Sequence, residues 1–469
     1  MSMKSLAQES WNKGRFFFGH KLSSVQVIIT YYILMTLMAL ILFYLPIFRQ
    51  PDSHVPFIDM FFMAVSTISV TGLSTVPISE VFNERGVILL EILFQVGGLG
   101  IMMISTFFFI ISKRKVTLKQ RQLIMTDMNQ PRLSGIVRLI RTTFTILLGL
   151  QVFSGVAFSF YLKLSGYFHQ WVDAFYYGFY ISISAVTNSG FDVTGYSVSP
   201  YANDFLFLLA IMVLIFIGGI GFPVLVDVKE WLSFKFSKRF NSFRFRFSLF
   251  TKIALLSSVI LFIGGTLVIF FLEKNHLFNH MDILGQGINS MFYSITTRNA
   301  GLQIHDLNDF QTTTLMIFAL LMFIGCSPSP VGGGIRTTTI MIIGLYLFAF
   351  LKTGENHIKI FGRNIDREDI RKSIAVFMLS IIMCFSCIIF LTAIKDMSLL
   401  SIIVEVTSAF GTTGLSLGIT EELTTIGKLV ITVLMFIGRV SMLYTIMLFI
   451  PKKPSNSGYR YPTEKIIIG

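Results

Sequence analysis

Four short polar runs, each ending in glycine, are the residues of this sequence best suited to binding an ion. They occupy 69–72, 187–190, 298–301 and 411–414, and 118, 111 and 113 residues separate their glycines. Backbone carbonyls turned toward a common axis can replace the hydration shell of a cation. Glycine tolerates the unusual φ values that such a path needs, and neighbouring Ser, Thr and Asn fix the loop by local hydrogen bonds. The spacing predicts four similar walls of one pore, and we call these runs the glycine loops.

The composition places these loops in a membrane protein. Of 469 residues, 53% are hydrophobic and only 13% are charged, whereas a soluble protein has roughly a quarter charged residues. A helix needs about 20 apolar residues to cross a bilayer. Eight runs approach or exceed that length, at 25–46, 87–112, 142–162, 204–228, 251–272, 312–350, 373–394 and 425–450. The sequence therefore predicts an all-α integral membrane protein with eight full spans.

Shorter apolar runs precede the glycine loops. They cover 57–68, 171–186, 282–296 and 398–410, about half a span each, and predict re-entrant half-helices. Each begins at or near an aspartate, namely Asp59, Asp173, Asp282 and Asp396. A carboxylate suits a helix N-terminus, so the negative end of each helix dipole would lie at the loop and attract a cation.

The order span, half-helix, glycine loop, span recurs along the chain and defines four pseudo-symmetric units. The predicted units are 25–112, 142–228, 251–351 and 373–450, between an N-terminal tail, 1–24, and a C-terminal tail, 451–469. Half-helices that all enter from one side are consistent with four direct repeats around an axis.

The basic residues are distributed asymmetrically. The net charge is +13, and 29 of the 38 Lys and Arg residues lie in five segments: 1–24, 113–141, 229–252, 352–372 and 452–469. Seven lie in the alternate loops. This is the positive-inside pattern, which predicts a multi-pass protein in contact with membrane lipid and with both termini in the cytoplasm. The positive charge is thus explained without a nucleic-acid partner.

The four-unit plan with one glycine loop per unit resembles the Trk/Ktr/HKT superfamily of potassium transporters, most closely the membrane subunit of bacterial Ktr systems. The resemblance covers roughly residues 25–450 and implies a selectivity filter whose backbone carbonyls bind potassium. The filter residues would be Val70, Thr71, Gly72, Asn188, Ser189, Gly190, Asn299, Ala300, Gly301, Thr412, Thr413 and Gly414. Glycine in all four loops favours potassium as the substrate, with no covalently bound cofactor. Arg298, three residues before Gly301, should turn aside and pair with a carboxylate or carbonyls.

The second span of the third unit is interrupted. Two prolines and four glycines break it, so an α-helix cannot continue through it. The residues are Gly325, Cys326, Ser327, Pro328, Ser329, Pro330, Val331, Gly332, Gly333 and Gly334. The resemblance implies an intramembrane gating loop over 325–339. A structural kink without gating is the alternative.

Other spans carry glycine pairs or a buried charge. Gly97-Gly98-Leu99-Gly100 and Gly218-Gly219-Ile220-Gly221 predict either close helix contacts or bends that line an inner cavity. Arg439 follows Gly438 inside the last span, where a charge is costly and usually functional. The resemblance places Arg439 beside the gating loop, opposing K⁺ or binding loop carbonyls. A structural arginine paired with a buried carboxylate is the alternative.

The resemblance also implies partners and a location. Related systems bind a cytosolic nucleotide-binding regulatory ring, which the basic segments 113–141 and 229–252 and the C-terminal tail are placed to dock. Related proteins are homodimers of the plasma membrane.

Three other functions remain open from the residues. The first is a less selective transporter of K⁺ and Na⁺. The second is a secondary transporter of another solute, which would need two inverted or parallel halves. The third is an intramembrane enzyme, but the sequence lacks H-E-x-x-H and G-x-S-x-G motifs.

Overall fold

Helices form almost all of the regular structure in the described chain, as the long apolar runs predict. The computed structural model describes residues 23–51, 53–100, 116–127, 135–236, 245–328, 332–354, 358–442 and 445. The helices are α1 Ser24–Phe43, α2 Phe57–Ser69, α3 Ile78–Val81, α4 Glu84–Leu99, α5 Leu118–Asp127, α6 Ile136–Leu164, α7 Trp171–Thr187, α8 Phe205–Gly219, α9 Phe222–Phe236, α10 Leu249–Glu273, α11 Ile283–Asn299, α12 Thr312–Ile324, α13 Thr337–Thr353, α14 Arg367–Ile394, α15 Leu399–Gly411 and α16 Thr425–Val440. Two short antiparallel strands, β1 Lys359–Ile360 and β2 Arg363–Asn364, pair between α13 and α14.

Side-chain caps explain where several long helices begin. Ser23 and Gln26 form a capping box before α1, each accepting a hydrogen bond from the other's backbone N–H. Ser248 caps α10, and Asp366 caps α14 through the Glu368 amide. These polar residues satisfy N–H groups that the first helical turn leaves without partners.

Four helices in the described part of the chain are long and apolar enough to cross a membrane: α1, α6, α10 and α14, with 20, 29, 25 and 28 residues. Only 22–39% of their most apolar segments is buried inside the protein, so their apolar side chains face outward, as lipid contact requires. They correspond to the first predicted span of each unit. Eight full spans remain a prediction, because the ends of 87–112 and 425–450 and both tails lie largely outside the described residues.

The predicted span over 204–228 is bent in the structure. Two helices, α8 and α9, cover this stretch and meet at an angle of 106°. Gly221, with φ of +102°, allows the turn because it has no Cβ atom. The stretch is therefore either a broken span or a re-entrant segment, and a bend predicted from the glycine pair occurs here.

Four shorter helices, α2, α7, α11 and α15, begin where the sequence predicts half-helices and contain 13 or 17 residues. Their C-terminal halves are buried almost completely. Among the expected acidic starts, Asp59 and Asp173 lie in the first turns of α2 and α7, and Asp282 is the N-cap residue of α11.

The packing of these helices is cyclic. The helix that follows each glycine loop contacts the short helix of the next unit: α4 with α7, α8 with α11, α12 with α15, and α16 with α2. The last contact joins the end of the described chain to its beginning. The short helices are thus enclosed by the other helices, and the residues that follow them are held near one axis.

Candidate functional site

The four glycine loops meet at the centre of this packing. Each glycine abuts the carbonyl oxygen of the residue that precedes the glycine of another loop. The pairs are Gly72 with Ser189, Gly190 with Ala300, Gly301 with Thr413, and Gly414 with Thr71. A Cβ atom on Gly72 would lie 2.5 Å from the Ser189 oxygen, closer than real Cβ atoms approach. The four contacts close a ring of backbone atoms that excludes side chains.

The backbone conformation also requires glycine in this ring. The φ angles are +87° at Gly72, +66° at Gly190, +69° at Gly301 and +94° at Gly414. Residues with a Cβ atom rarely adopt this region. The close backbone contacts and the positive φ angles therefore both favour glycine at these four positions.

Three of the loops share a second special position, two residues before the glycine. Val70, Asn188 and Thr412 are left-handed, with φ of 57°, 52° and 50°. This conformation is costly for β-branched residues, and such strain concentrates at functional sites. The third loop differs, because α11 extends to Asn299 and Ala300 has φ of −91°. The four loops are therefore similar but not equivalent.

Buried hydroxyl groups hold the loops from behind. The residues are Ser66, Ser184, Thr296 and Ser408, six, six, five and six positions before the glycines. Ser66 Oγ donates to the Leu73 carbonyl at 2.7 Å, and Ser408 Oγ accepts from the Gly414 amide at 3.1 Å. Sequence reasoning missed these residues, although a hydroxyl at near-constant distance before each glycine was a readable signal.

The loops offer oxygen ligands in a setting of negative potential. Each short helix ends at its loop, so the negative pole of its dipole lies there. Buried carbonyls converging between four such helix ends can replace the water around a monovalent cation. In the described residues, no cluster of three or more His, Cys, Asp or Glu side chains could hold a metal ion.

Arg298 turns away from its loop, as predicted. Its side chain is 7% exposed and donates from Nη1 to the Ser258 carbonyl of α10 at 3.4 Å. No carboxylate in the described chain lies within ion-pair distance of it. It borders a small cavity together with Asn188 and Cys326.

The predicted gating segment runs directly under the loops. Its described residues are buried or half-buried, while Ser329, Pro330 and Val331 lie outside the described residues. The Gly333 amide donates to Asn299 Oδ1 at 3.2 Å, and the Gly334 amide donates to the Phe410 carbonyl at 3.1 Å. The segment is therefore hydrogen-bonded to Asn299 in the third glycine loop and to Phe410 near the end of α15.

Arg439 is 4% exposed and binds backbone carbonyls at the end of α4. Its Nη2 donates to the carbonyls of Gly97 and, at 3.1 Å, Gly98. Arg439, Arg298 and Arg336 all lie near Cys326 of the predicted gating segment.

The spacing between the start of the helix after each glycine loop and a positive-φ residue shows how the third unit differs from the other three. In three units, seventeen residues separate the N-cap of the helix after the glycine loop from the positive-φ residue at which that helix stops or bends. In the third unit, α12 ends earlier, at Ile324, and twenty-five residues separate its N-cap from the positive-φ residue that precedes α13. The pairs are Asn83 with Gly100, Asp204 with Gly221, Thr424 with Ser441, and Gln311 with Arg336. Sequence reasoning missed that Gly333-Gly334-Ile335-Arg336 matches Gly97-Gly98-Leu99-Gly100. The third unit therefore contains eight additional residues before a common break.

The glycines three positions before these positive-φ residues make close contacts. A Cβ atom on three of them would collide with a carbonyl oxygen of the short helix in the same unit, whereas one on Gly333 would meet the Thr412 side chain of the fourth loop. The pairs are Gly97 with Ile68, Gly218 with Val186, and Gly438 with Phe410. At Gly218-Gly219 a close helix contact and a bend occur together. At Gly97-Gly98 the close contact is present, and the chain that follows Gly100 lies outside the described residues.

A buried ion pair joins α2 to α16, where the ring closes. Lys428 Nζ contacts Asp59 Oδ1, and the two residues are 9% and 6% exposed. A buried pair contributes little net stability over apolar residues, but removal of one partner leaves a buried charge unpaired.

We expect Lys428→Met to destabilise the protein by about 3–5 kcal/mol, since Asp59 would remain buried without a counter-charge. Adding Asp59→Asn should recover much of the loss. Thermal unfolding of the purified protein, followed by intrinsic fluorescence, measures both. Lys395→Met, which breaks the exposed pair with Glu422, is the control and should change stability by less than about 1 kcal/mol. Equal losses for the two lysine variants would contradict a special role for the buried pair.

Comparison with known proteins agrees with this architecture. The TrkH family, described as cation transport proteins, matches residues 45–461. The Ktr system potassium uptake protein D of Bacillus subtilis is 43% identical, with 96% of this chain and 98% of that protein covered. The potassium/sodium uptake protein NtpJ of Enterococcus hirae is 31% identical, with 96% and 98% covered. The crystal structure of the potassium transporter TrkH from Vibrio parahaemolyticus has a TM-score of 0.70 at 18% identity, covering 92% of this chain and 86% of that one.

Apolar helices of spanning length around a ring of polar loops define an integral membrane transport protein. The family match covers most of the sequence, and the chain belongs to the TrkH family of cation transport proteins. This confirms the resemblance identified from the glycine loops. The family consists of ion transporters and not of enzymes, so the intramembrane enzyme hypothesis is excluded.

Proposed function

We propose that this protein takes up potassium ions across the cell membrane through a pore that its four units form. The ring of four glycines, each against a carbonyl of the next loop, carries this proposal. K⁺ is the substrate, and the filter ligands are backbone carbonyls of Val70, Thr71, Gly72, Asn188, Ser189, Gly190, Asn299, Ala300, Gly301, Thr412, Thr413 and Gly414. The name of the Bacillus subtilis relative supports potassium uptake.

The membrane potential drives the ion inward. Moving one positive charge through 100 mV contributes about 2.3 kcal/mol, which is enough for accumulation by a factor of tens without coupled chemistry. The ends of the four short helices favour a cation at the ring. Arg298 and Arg439 are buried and Arg336 is half-buried, and all three lie near Cys326 of the segment. Their positive charges oppose free passage of a cation, so they limit the flow when the segment at 325–336 is in place.

That segment acts as the intramembrane gate. It is hydrogen-bonded to Asn299 and Phe410 at the bases of the third and fourth loops. Opening of the gate would break these two bonds and also the bond from the Ser327 amide to the Gly219 carbonyl of the second unit. Arg439 holds the neighbouring helix end through Gly97 and Gly98.

In this proposal both termini are cytoplasmic, because the basic segments then lie inside. A cytosolic nucleotide-binding ring regulates the gate, and the protein acts as a homodimer in the plasma membrane. The word "system" in the name of the Bacillus subtilis relative supports a partner subunit. Basic residues of 113–141 and 229–252 are the proposed docking surface.

The test is ⁸⁶Rb⁺ uptake into KCl-loaded proteoliposomes, competed separately by external K⁺ and Na⁺. We expect K⁺ to block uptake and Na⁺ not to, and Gly72→Ser to lose this discrimination, since a side chain there meets the Ser189 carbonyl. Uptake that is absent both alone and with the ring subunit added would contradict the proposal.

A less selective K⁺/Na⁺ transporter is the second candidate. Two observations favour it: the name of the Enterococcus hirae relative, and the different conformation of the third loop at Ala300. Competition by Na⁺ equal to that by K⁺ in the wild-type protein would support this candidate.

A further inference from the structure

Glu405 is a buried carboxylate behind the fourth glycine loop. It lies in α15 and is 0% exposed. Its Oε2 accepts from Ser416 Oγ at 2.7 Å, and its Oε1 accepts from Thr420 Oγ1 at 2.6 Å. Both donors follow the glycine ring in the chain, so Glu405 ties the far end of the loop to the short helix.

No cation balances this carboxylate within the described residues. None of the ion pairs found there includes Glu405, and two hydroxyl groups are its only hydrogen-bond partners. The other fully buried glutamate, Glu273, by contrast binds His276 and the Gln311 amide. A charged carboxylate is costly to bury without a counter-charge. The carboxylate is therefore either protonated or balanced by a cation that does not belong to the described side chains.

The position of Glu405 recurs in the other units without its charge. In each unit we compare the residue nine positions before the loop glycine with the residue two positions after it. These pairs are Met63 and Ser74, Ile181 and Asp192, Phe292 and Gln303, and Glu405 and Ser416. In the first unit, Ser74 Oγ lies 3.1 Å from Met63 Sδ. The same contact between helix and loop therefore exists in two units, and only one of them has a carboxylate.

Glu405 and Ser408 hold the fourth loop on both sides of Gly414. They are three residues apart and therefore lie on one face of α15. Ser408 Oγ accepts from the Gly414 amide, and Glu405 accepts from Ser416 two residues further on. The carboxylate is thus fixed close to the ring by the backbone that follows Gly414.

We propose that Glu405 is a positioning residue that sets the ion affinity of the filter, with the transported monovalent cation as its counter-charge. The inference rests on the proposed function. A fixed negative charge acts over several ångströms in a medium of low effective dielectric constant. It raises the occupancy of the ring by a cation and leaves the gate unaffected.

The test variant is Glu405→Gln, which keeps the shape and a hydrogen-bond acceptor and removes the charge. We expect the half-saturating Rb⁺ concentration to rise by about tenfold, equivalent to about 1.4 kcal/mol, with the maximal rate within about twofold. An unchanged half-saturating concentration in folded protein would overturn the inference. Wild-type protein in the same assay separates the two proposals, because an inactive wild type contradicts the proposed function itself.

Two further variants separate charge from structure. Thr420→Val removes a hydrogen bond and keeps the carboxylate, so it should change thermal stability more than ion affinity. Met63→Glu added to Glu405→Gln restores a carboxylate in the first unit, where Ser74 is placed to donate to it. This double variant should recover much of the lost affinity, and Met63→Gln in the same background should not. Equal recovery by Glu and Gln would overturn the role of charge.

Discussion

Deletion of residues 325–332 is expected to raise Rb⁺ uptake by about tenfold or more, equivalent to at least about 1.4 kcal/mol of barrier. The deletion joins Ile324 to Gly333 and leaves Gly333-Gly334-Ile335-Arg336 intact. Seventeen residues would then separate Gln311 from Arg336, as they separate N-cap and break in the other three units. The third unit would become like its neighbours and lose the segment under the ring.

The physical reason is that the segment would obstruct the ion path next to the glycine loops, where nearby arginines also repel a cation. The segment is packed so closely that a Cβ atom on Gly332 would lie 2.7 Å from Cys326 Sγ. Gly333 and Gly334, which donate to Asn299 and Phe410, are retained in the deletion variant, so these two hydrogen bonds still form. The expected gain in flux therefore comes from removal of the proposed steric barrier.

Initial rates of Rb⁺ uptake into proteoliposomes measure the effect. A Gly/Ser run of equal length in place of 325–332 is the matched control, and it should stay closer to wild type because the obstruction remains. Gly72→Ser in the deletion background tests whether the added flux still passes through the filter. Equal or lower flux in a folded deletion variant would rule out gating and favour the structural kink.

Much of the fold could be predicted because it depends on local pattern. Apolar run length identified α1, α6, α10 and α14, and half-length runs identified the short helices. The 106° bend between α8 and α9 was not predictable from hydropathy, since the apolar run continues through Gly221 to 228. It depends on backbone freedom at Gly221, which lies against the Pro328 carbonyl.

The candidate site was predictable to the level of residue type and spacing. Glycine at four regularly spaced positions indicates a positive φ angle and a close backbone contact, both of which a side chain would prevent. The partners of buried charges were not predictable, because they are distant in sequence. Lys428 contacts Asp59 across 369 positions, and Arg439 binds Gly97 across 342. Such contacts form only when the fourth unit packs against the first, and the sequence of a single unit does not reveal this packing.

Gly301→Ala is expected to reduce Rb⁺ uptake by more than about tenfold. A Cβ atom there collides with the Thr413 carbonyl and lies 3.1 Å from the Gly190 Cα atom, so backbone atoms and not flexible side chains must move. The φ angle of +69° adds strain of about 1–2 kcal/mol. Displacement of the Thr413 carbonyl removes a proposed ligand, and in a carbonyl ring a shift of one oxygen alters the others.

Gly418→Ala is the matched control for this prediction. Gly418 also has a positive φ, +89°, but a Cβ atom there would meet nothing within 4 Å. The two variants thus share the conformational strain and differ in the collision with the ring. Thermal unfolding should show a loss for both, while only Gly301→Ala should lose uptake and discrimination between K⁺ and Na⁺. Equal loss of uptake in the two would mean that backbone strain, and not the closed ring of carbonyls, determines passage of the ion.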